Sequence, residues 1–235
     1  VYFTNYELQV KSLIDGVVDI AWNSPLAWLD SQRRSGGSCR AIAMRDTDRD
    51  RRSHLITRVD SGIATVAELE GRTIAFGAAD SPQALLIPRE HLRRAGLAAG
   101  RYIVRRFDVL VGKHGDHIGG ELDAFRALDA GEVAASCLLD LNWDTWTKDG
   151  TIDTTRYRIL STTDLFDHCV FTVTGSFAAE REQAFLDALF AMDYGNPQHK
   201  EMMDLEGLKK WEPGRTTGFE LLGASCEHLG FFEGA

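Results

Sequence analysis

Short apolar runs alternate with amphipathic stretches along nearly the whole chain. The clearest run is Thr73-Ile74-Ala75-Phe76, partly β-branched, which reads as a buried strand. Gly77-Ala78-Ala79-Asp80 then turns the chain, and a helical pattern runs from Gln83 through Leu92 to about residue 95. Asp80 or Ser81 is placed to cap that helix, and Pro82 suits its first position, where a missing N–H leaves nothing unpaired. A strand, a small-residue turn and a capped helix leave N–H groups and a positive dipole end facing outward, a cradle for an anion. The same pattern also describes an ordinary α/β junction, and Asp80 weighs against a bare anion site unless it caps or points away.

The other elements follow the same periodicities. Strands are expected at Tyr2-Phe3-Thr4, Val17 to Trp22, Ala41 to Met44, Ser53 to Val59, Tyr102 to Phe107, Ala130 to Leu138, Arg156 to Leu160 and Cys169 to Val173. Helices are expected at Glu7 to Ile14, Asn23 to Leu29, Ala67 to Gly71, Glu121 to Leu128, and about 178–193, 198–209 and 217–229. Lys209, Lys210 and Trp211 read as part of a surface helix. The alternation predicts an α/β fold with mixed, mainly parallel sheets.

A chain of 235 residues accommodates one large domain or two smaller ones. Its net charge of −9 argues against a general nucleic-acid surface. The local basic run from Arg45 to Arg52 is interleaved with three Asp residues and reads as a solvated loop, in the manner of a hairpin tip. No apolar segment approaches the roughly 20 residues that span a bilayer. The sequence opens on Val1 rather than Met, so residues are expected to precede it and a targeting signal is left open. Cys39, Cys137, Cys169 and Cys226 lack CxxC spacing, so they read as buried free thiols rather than a zinc or disulfide framework.

Three stretches then line up in order: Leu13-Ile14-Asp15-Gly16-Val17-Val18-Asp19-Ile20-Ala21-Trp22-Asn23-Ser24-Pro25-Leu26, Val66 to Phe76, and Ala127 to Ala135. Together the sequence resembles the substrate-binding proteins of phosphate, phosphite and phosphonate ABC transporters, the PhnD-like group with the type II periplasmic-binding-protein fold. The resemblance implies two α/β lobes with ligand in a cleft between them. Lobe one would comprise 1–58 and 172–235, lobe two 63–166, with crossings near 58–62 and 166–171. Ligand contacts would come from loops after the strands: Asn5 and Tyr6; Trp22, Asn23 and Ser24; Ser81, Pro82 and Gln83; and the loop around 112–121. The chain departs from the family's usual Ser/Thr-Ser-Gly helix start, showing Asp80-Ser81-Pro82-Gln83. It also replaces a single ligand histidine by the polar loop Gly112-Lys113-His114-Gly115-Asp116-His117-Ile118-Gly119-Gly120-Glu121. A cationic or zwitterionic ligand therefore stays open beside a phosphate-like one.

Several residues carry candidate chemistry. His114, His117 and Glu121 would share a helical face and supply three metal ligands, but three glycines favour a loop that approaches a ligand closely. Lys113 could neutralise an anionic head group. Asp167-His168-Cys169 holds an imidazole beside a thiol, raw material for nucleophilic catalysis. Adjacent strand residues, however, face opposite ways, which leaves His168 as a ligand contact and Cys169 in the core. Trp22 and Tyr6 are either aromatic walls or packing residues, and Asp140 follows a strand end where α/β sites are built. The expected function is capture of a small polar solute, phosphate- or phosphonate-like, with no cofactor, with an ABC permease as partner, and without nucleic acid or membrane insertion. It would act in the periplasm or anchored outside the cell if a signal precedes Val1, with the cytoplasm left open. The alternatives are a lyase- or decarboxylase-like enzyme on the same fold, metal-assisted or not, or a metabolite sensor domain.

Overall fold

The computed structural model describes residues 1–115 and 118–233. Internal contacts divide the chain into two units, Val1–Arg51 with Phe166–Glu220, and Arg52–Leu165 with Leu221–Ala235.

The first unit is built on a four-stranded sheet ordered β1 (Ile20–Asn23), β8 (Val170–Val173), β2 (Arg40–Arg45), β9 (Trp211–Pro213), and every pairing in it is antiparallel. Helix α1 (Tyr6–Ile14) starts where the Asn5 side chain accepts the Leu8 N–H at 2.8 Å. Helix α2 (Pro25–Arg34) starts where Ser24 Oγ accepts the Ala27 N–H at 3.2 Å. Each such cap is worth about 1 kcal/mol. One apolar cluster joins Trp28, Cys39, Met44, Val170 and Phe219; another gathers Met203, Leu208 and Trp211, with Trp22 and Phe171 against them. Helices α6 (Ala179–Phe190) and α7 (Pro197–Leu205) complete this unit.

The second unit carries a five-stranded sheet ordered β5 (Ile103–Arg106), β4 (Thr73–Phe76), β6 (Ala135–Leu139), β3 (Ser53–Arg58), β7 (Tyr157–Thr162). The β4–β5 and β4–β6 pairings are parallel, and those of β3 with β6 and β7 are antiparallel. All of β6 is buried, whereas all of β5 is exposed, and Arg105 and Arg106 blunt that edge against further strand addition. Helix α4 (Gly119–Asp129) presents Ala124, Phe125, Ala127 and Leu128 to a core that includes Ile56, Leu138, Trp146 and Tyr157. Helix α8 (Glu220–His228) is tied to this unit by Ser225 Oγ, which donates to the Leu86 carbonyl at 2.6 Å.

Glu90, on α3 (Ile87–Arg94), is buried and receives Arg93 through two hydrogen bonds of 2.8 Å and Arg94 through a third of 2.8 Å. The Arg93 bonds lead in holding its carboxyl down at about 2, against the opposing effect of burial. A carboxyl held below its unfolded value stabilises the fold above that value, about 4.5, and loses the contribution as pH falls through about 2. The thermal-stability gap between the wild type and Glu90→Gln should therefore narrow on acidification across that window; a constant gap would refute the assignment.

Several expectations are corrected. Only two strand pairings are parallel among the described residues, because β3, β8 and β9 each return against their neighbours. Tyr2 to Thr4 enter no sheet. Residues 45–52 form no hairpin tip, since β2 and β3 lie in different sheets. Asp48 within that run is 2 % exposed rather than solvated. The division between units falls at 51/52 and 165/166, earlier than 58–62 and 166–171, because β3 lies between β6 and β7. Residues 221–235 join the second unit, not the first. Trp211 lies in a strand, not a surface helix. Gly207, with φ of +68°, follows the end of α7, and Gly214 passes so near Ala41 that a Cβ would sit 2.4 Å from its carbonyl oxygen.

Candidate functional site

In the first unit the structure gathers Tyr6, Arg45, Asp48, His168 and Cys169. Arg45 closes β2 and grips Asp48, with Nε to Oδ2 at 2.6 Å and Nη2 to Oδ1 at 3.0 Å. His168 N–H donates to the Asp48 carbonyl at 2.7 Å, and Cys169 N–H donates to Asp48 Oδ1 at 3.2 Å. These bonds lock the turn at 46–48 onto the segment entering β8. His168 Nδ1 then stands 3.1 Å from Cys169 Sγ and 3.6 Å from Asp48 Oδ1. The two side chains do face one point, contrary to the strand argument, because β8 begins only at Val170.

The electrostatics follow from that proximity. Burial works to lower the His168 pKa, but the Cys169 sulfur and the Asp48 carboxylate overcome it and push the value up to about 10. Burial acts first on Asp48 too, in the raising direction, and the His168 and Arg45 hydrogen bonds reverse it to a net lowering. Burial pushes the Tyr6 hydroxyl up, Cys169 adds to the rise, and Arg45 opposes it. Asp167, by contrast, is 1 % exposed and held by Arg215, whose Nε and Nη2 each reach it at 2.5 Å, while its Oδ1 also accepts the Asp50 N–H. Asp167 orients Arg215, not His168.

Other first-unit candidates have structural partners. Asn5 caps α1, and Ser24 caps α2. Asn23 is fully buried: its Nδ2 donates to Ser31 Oγ at 3.0 Å, and its Oδ1 accepts Gln9 Nε2 at 2.8 Å, which links α1, β1 and α2. Trp22 packs on Phe171 and Trp211, with ring centroids 4.6 and 5.9 Å away, and the Arg45 guanidinium lies 5.1 Å from its ring. Arg45 and Asp48 were missed as site residues. Their spacing of three within a charged run was the only signal, and it fits an exposed pair equally well.

In the second unit Ser81, Pro82 and Gln83 open the helical segment ahead of α3 and are all buried. Ser81 Oγ accepts the Ala84 N–H at 3.2 Å, so the cap is Ser81 rather than Asp80. Asp80 instead turns to the 110–115 segment, where its Oδ2 accepts the Gly112 N–H at 2.7 Å and the His114 N–H at 3.1 Å. Asp108 accepts the Ala79 N–H at 2.9 Å. Carboxylates of the chain itself thus take N–H groups on and beside this turn. Gly115, at φ +74°, crosses directly over Ser81: a Cβ there would lie 2.6 Å from Ser81 Cβ. Gln83 is 1 % exposed, and its Oε1 has no hydrogen-bond partner among the described residues.

The helical metal face weighed for the histidine loop does not form between His114 and Glu121, as its glycines suggest. His114 has a left-handed φ of +55° and lies outside α4, whereas Glu121 lies within it, so the two share no helical face. His117 falls outside the described residues. Glu121 is fully buried, and its Oε2 accepts the Leu139 N–H at 2.7 Å and Asn142 Nδ2 at 2.9 Å. It orders the start of α5 (Asp140–Lys148). Lys113 is half-buried in the loop. Asp140 heads α5, where its Oδ1 accepts the Leu141 N–H at 2.9 Å.

Comparison with solved structures shows the same fold. PhnD1 from Prochlorococcus marinus, in complex with methylphosphonate, matches with a TM-score of 0.73 and 16 % identity over 96 % of this chain and 84 % of that one. XAC2383 from Xanthomonas citri, bound to ATP, matches with a TM-score of 0.76 and 19 % identity over 97 % and 84 %. An uncharacterized Haemophilus influenzae protein is 75 % identical over 28 residues, a stretch that covers 12 % of this chain and 39 % of that protein's length. The model of the family described as periplasmic phosphonate substrate-binding proteins of ABC transporters matches residues 1–217. A match of that extent, on a mixed α/β fold shared with these binding proteins, places the chain in the phosphonate substrate-binding family of ABC transporters.

Proposed function

We propose that this protein captures a small phosphorus oxyanion, a phosphonate first, and delivers it to an ABC permease in the periplasm or at the outer face of the cytoplasmic membrane. It works as a binding protein and not as an enzyme. The observation that carries this reading is Gln83: a side-chain amide buried at the start of a capped helical segment, with its Oε1 unmatched by any donor among the described residues. A buried polar atom without a partner costs free energy unless a ligand supplies one. Turned through 180°, the same amide presents N–H groups to an oxyanion. The engagement of Asp167 by Arg215 and Asp50 removes it as an orienting partner for a catalytic histidine.

The test is a calorimetric titration with methylphosphonate, 2-aminoethylphosphonate, phosphate, phosphite and alkanesulfonates. A ligand at a hundred times its Kd should stabilise the native state by about 2.7 kcal/mol. Gln83→Leu should leave thermal stability unchanged or higher while weakening oxyanion binding about 10- to 100-fold, the worth of a hydrogen bond to a charged group. Absence of binding to every phosphorus oxyanion sinks the ligand class; full affinity in Gln83→Leu removes Gln83 from the site.

A further inference from the structure

We propose a second site, independent of the oxyanion: a transition-metal site, best matched to Zn2+, made by Asp48, His168 and Cys169 in the first unit. One atom from each of these residues lies within 4.8 Å of the others, and they form a nitrogen, sulfur and oxygen donor set. Bonds of about 2.0–2.3 Å to a tetrahedral ion place neighbouring ligand atoms roughly 3.5 Å apart. Two observed separations, Nδ1 to Sγ at 3.1 Å and Nδ1 to Oδ1 at 3.6 Å, bracket that value, and the third, Sγ to Oδ1, lies within 4.8 Å.

The surroundings are those of a built site. The backbone bonds from His168 and Cys169 to Asp48 fix two of the donors relative to the third. The Arg45 guanidinium holds both carboxylate oxygens, Nε on Oδ2 and Nη2 on the Oδ1 that faces His168, and so fixes the carboxylate in the manner of the outer partners that position metal ligands. Asp48 and Cys169 are buried, while the His168 side chain is 18 % exposed. That opening gives an ion a way in and leaves a fourth position for water or another small ligand. Imidazole with thiolate suits Zn2+ and Cu ions; three oxygen-only ligands would have suited Mg2+ or Ca2+. Binding forms one bond to each of the three donors and needs a neutral imidazole nitrogen, a thiolate and a carboxylate, so any proton on a donor atom leaves to solvent.

The experiment is titration of the reduced, chelator-treated protein with Zn2+ and with Co2+ in the absence of any oxyanion. One Co2+ per chain should bind with a near-ultraviolet thiolate charge-transfer band, and Zn2+ should displace it. Zn2+ should also protect Cys169 from alkylation by iodoacetamide, as mapped by mass spectrometry of the wild-type chain. Loss of an outer partner alone weakens metal sites about 10- to 100-fold, so Cys169→Ser and His168→Gln should each cost at least about tenfold in affinity. Cys39→Ser should leave the Co2+ stoichiometry and the thiolate band unchanged. A Co2+ complex without a thiolate band, or Zn2+ that leaves Cys169 alkylation unchanged, overturns the proposal on the wild-type protein alone, whatever the variants' stability. Oxyanion binding can fail while this site stands, and the reverse.

Discussion

Glu121→Ala should destabilise the second unit by roughly 3 kcal/mol, the scale of a broken buried charge-assisted pair. The carboxylate is fully buried, and one oxygen serves two donors, the Leu139 N–H and Asn142 Nδ2. Truncation strands both donors where water does not reach and leaves a void beside β6. Glu121→Gln keeps one acceptor oxygen and should cost about half as much. Urea unfolding gives the size of the effect, and hydrogen exchange gives its place: the Leu139 amide should exchange faster in Glu121→Ala than in the wild type. Unaltered protection at Leu139 would show that the bond contributes little.

The next largest effect is expected for Asp48→Ala, also roughly 3 kcal/mol, at the low end for a broken buried ion pair because the Arg45 side chain is 21 % exposed and regains some water. Asp48 joins Arg45 through two hydrogen bonds and receives the Cys169 N–H, so its loss leaves a half-buried guanidinium and an amide without their partner. Exchange should accelerate in peptides covering 40–51 and 166–173 and stay unchanged in β4 and β6 of the second unit. Asp48→Asn, which retains an acceptor oxygen, should fall between the variant and the wild type. Equal stability of Asp48→Ala and the wild type would reduce this network to a surface-like ion pair.

Much of the fold was legible because local chemistry fixed it. Ser24-Pro25 and Ser81-Pro82 each start a helical segment, and the run from Thr73 to Phe76 is a strand with the predicted bounds. The three quoted motifs identify the family. The sense of the strands was not legible, because an apolar run of four residues reads the same in a parallel or an antiparallel sheet. Trp211 was assigned to a helix for a related reason: a strand of three residues carries no usable period, and only pairing with β2 defines it.

Sequence alone determined the segments with their caps, the mixed α/β class, the four unpaired thiols and the family. These depend on neighbours a few residues apart, whose geometry the backbone dictates. Tertiary structure alone decided the partners of the polar side chains. Asp48 meets His168 and Cys169 across about 120 residues of chain, Glu121 turns inward to the head of α5, and Gln83 is buried with an oxygen that no described residue matches. Charge and spacing are blind to such pairings, because whether a carboxylate is solvated, caps a turn or completes a site depends on which distant segment packs against it.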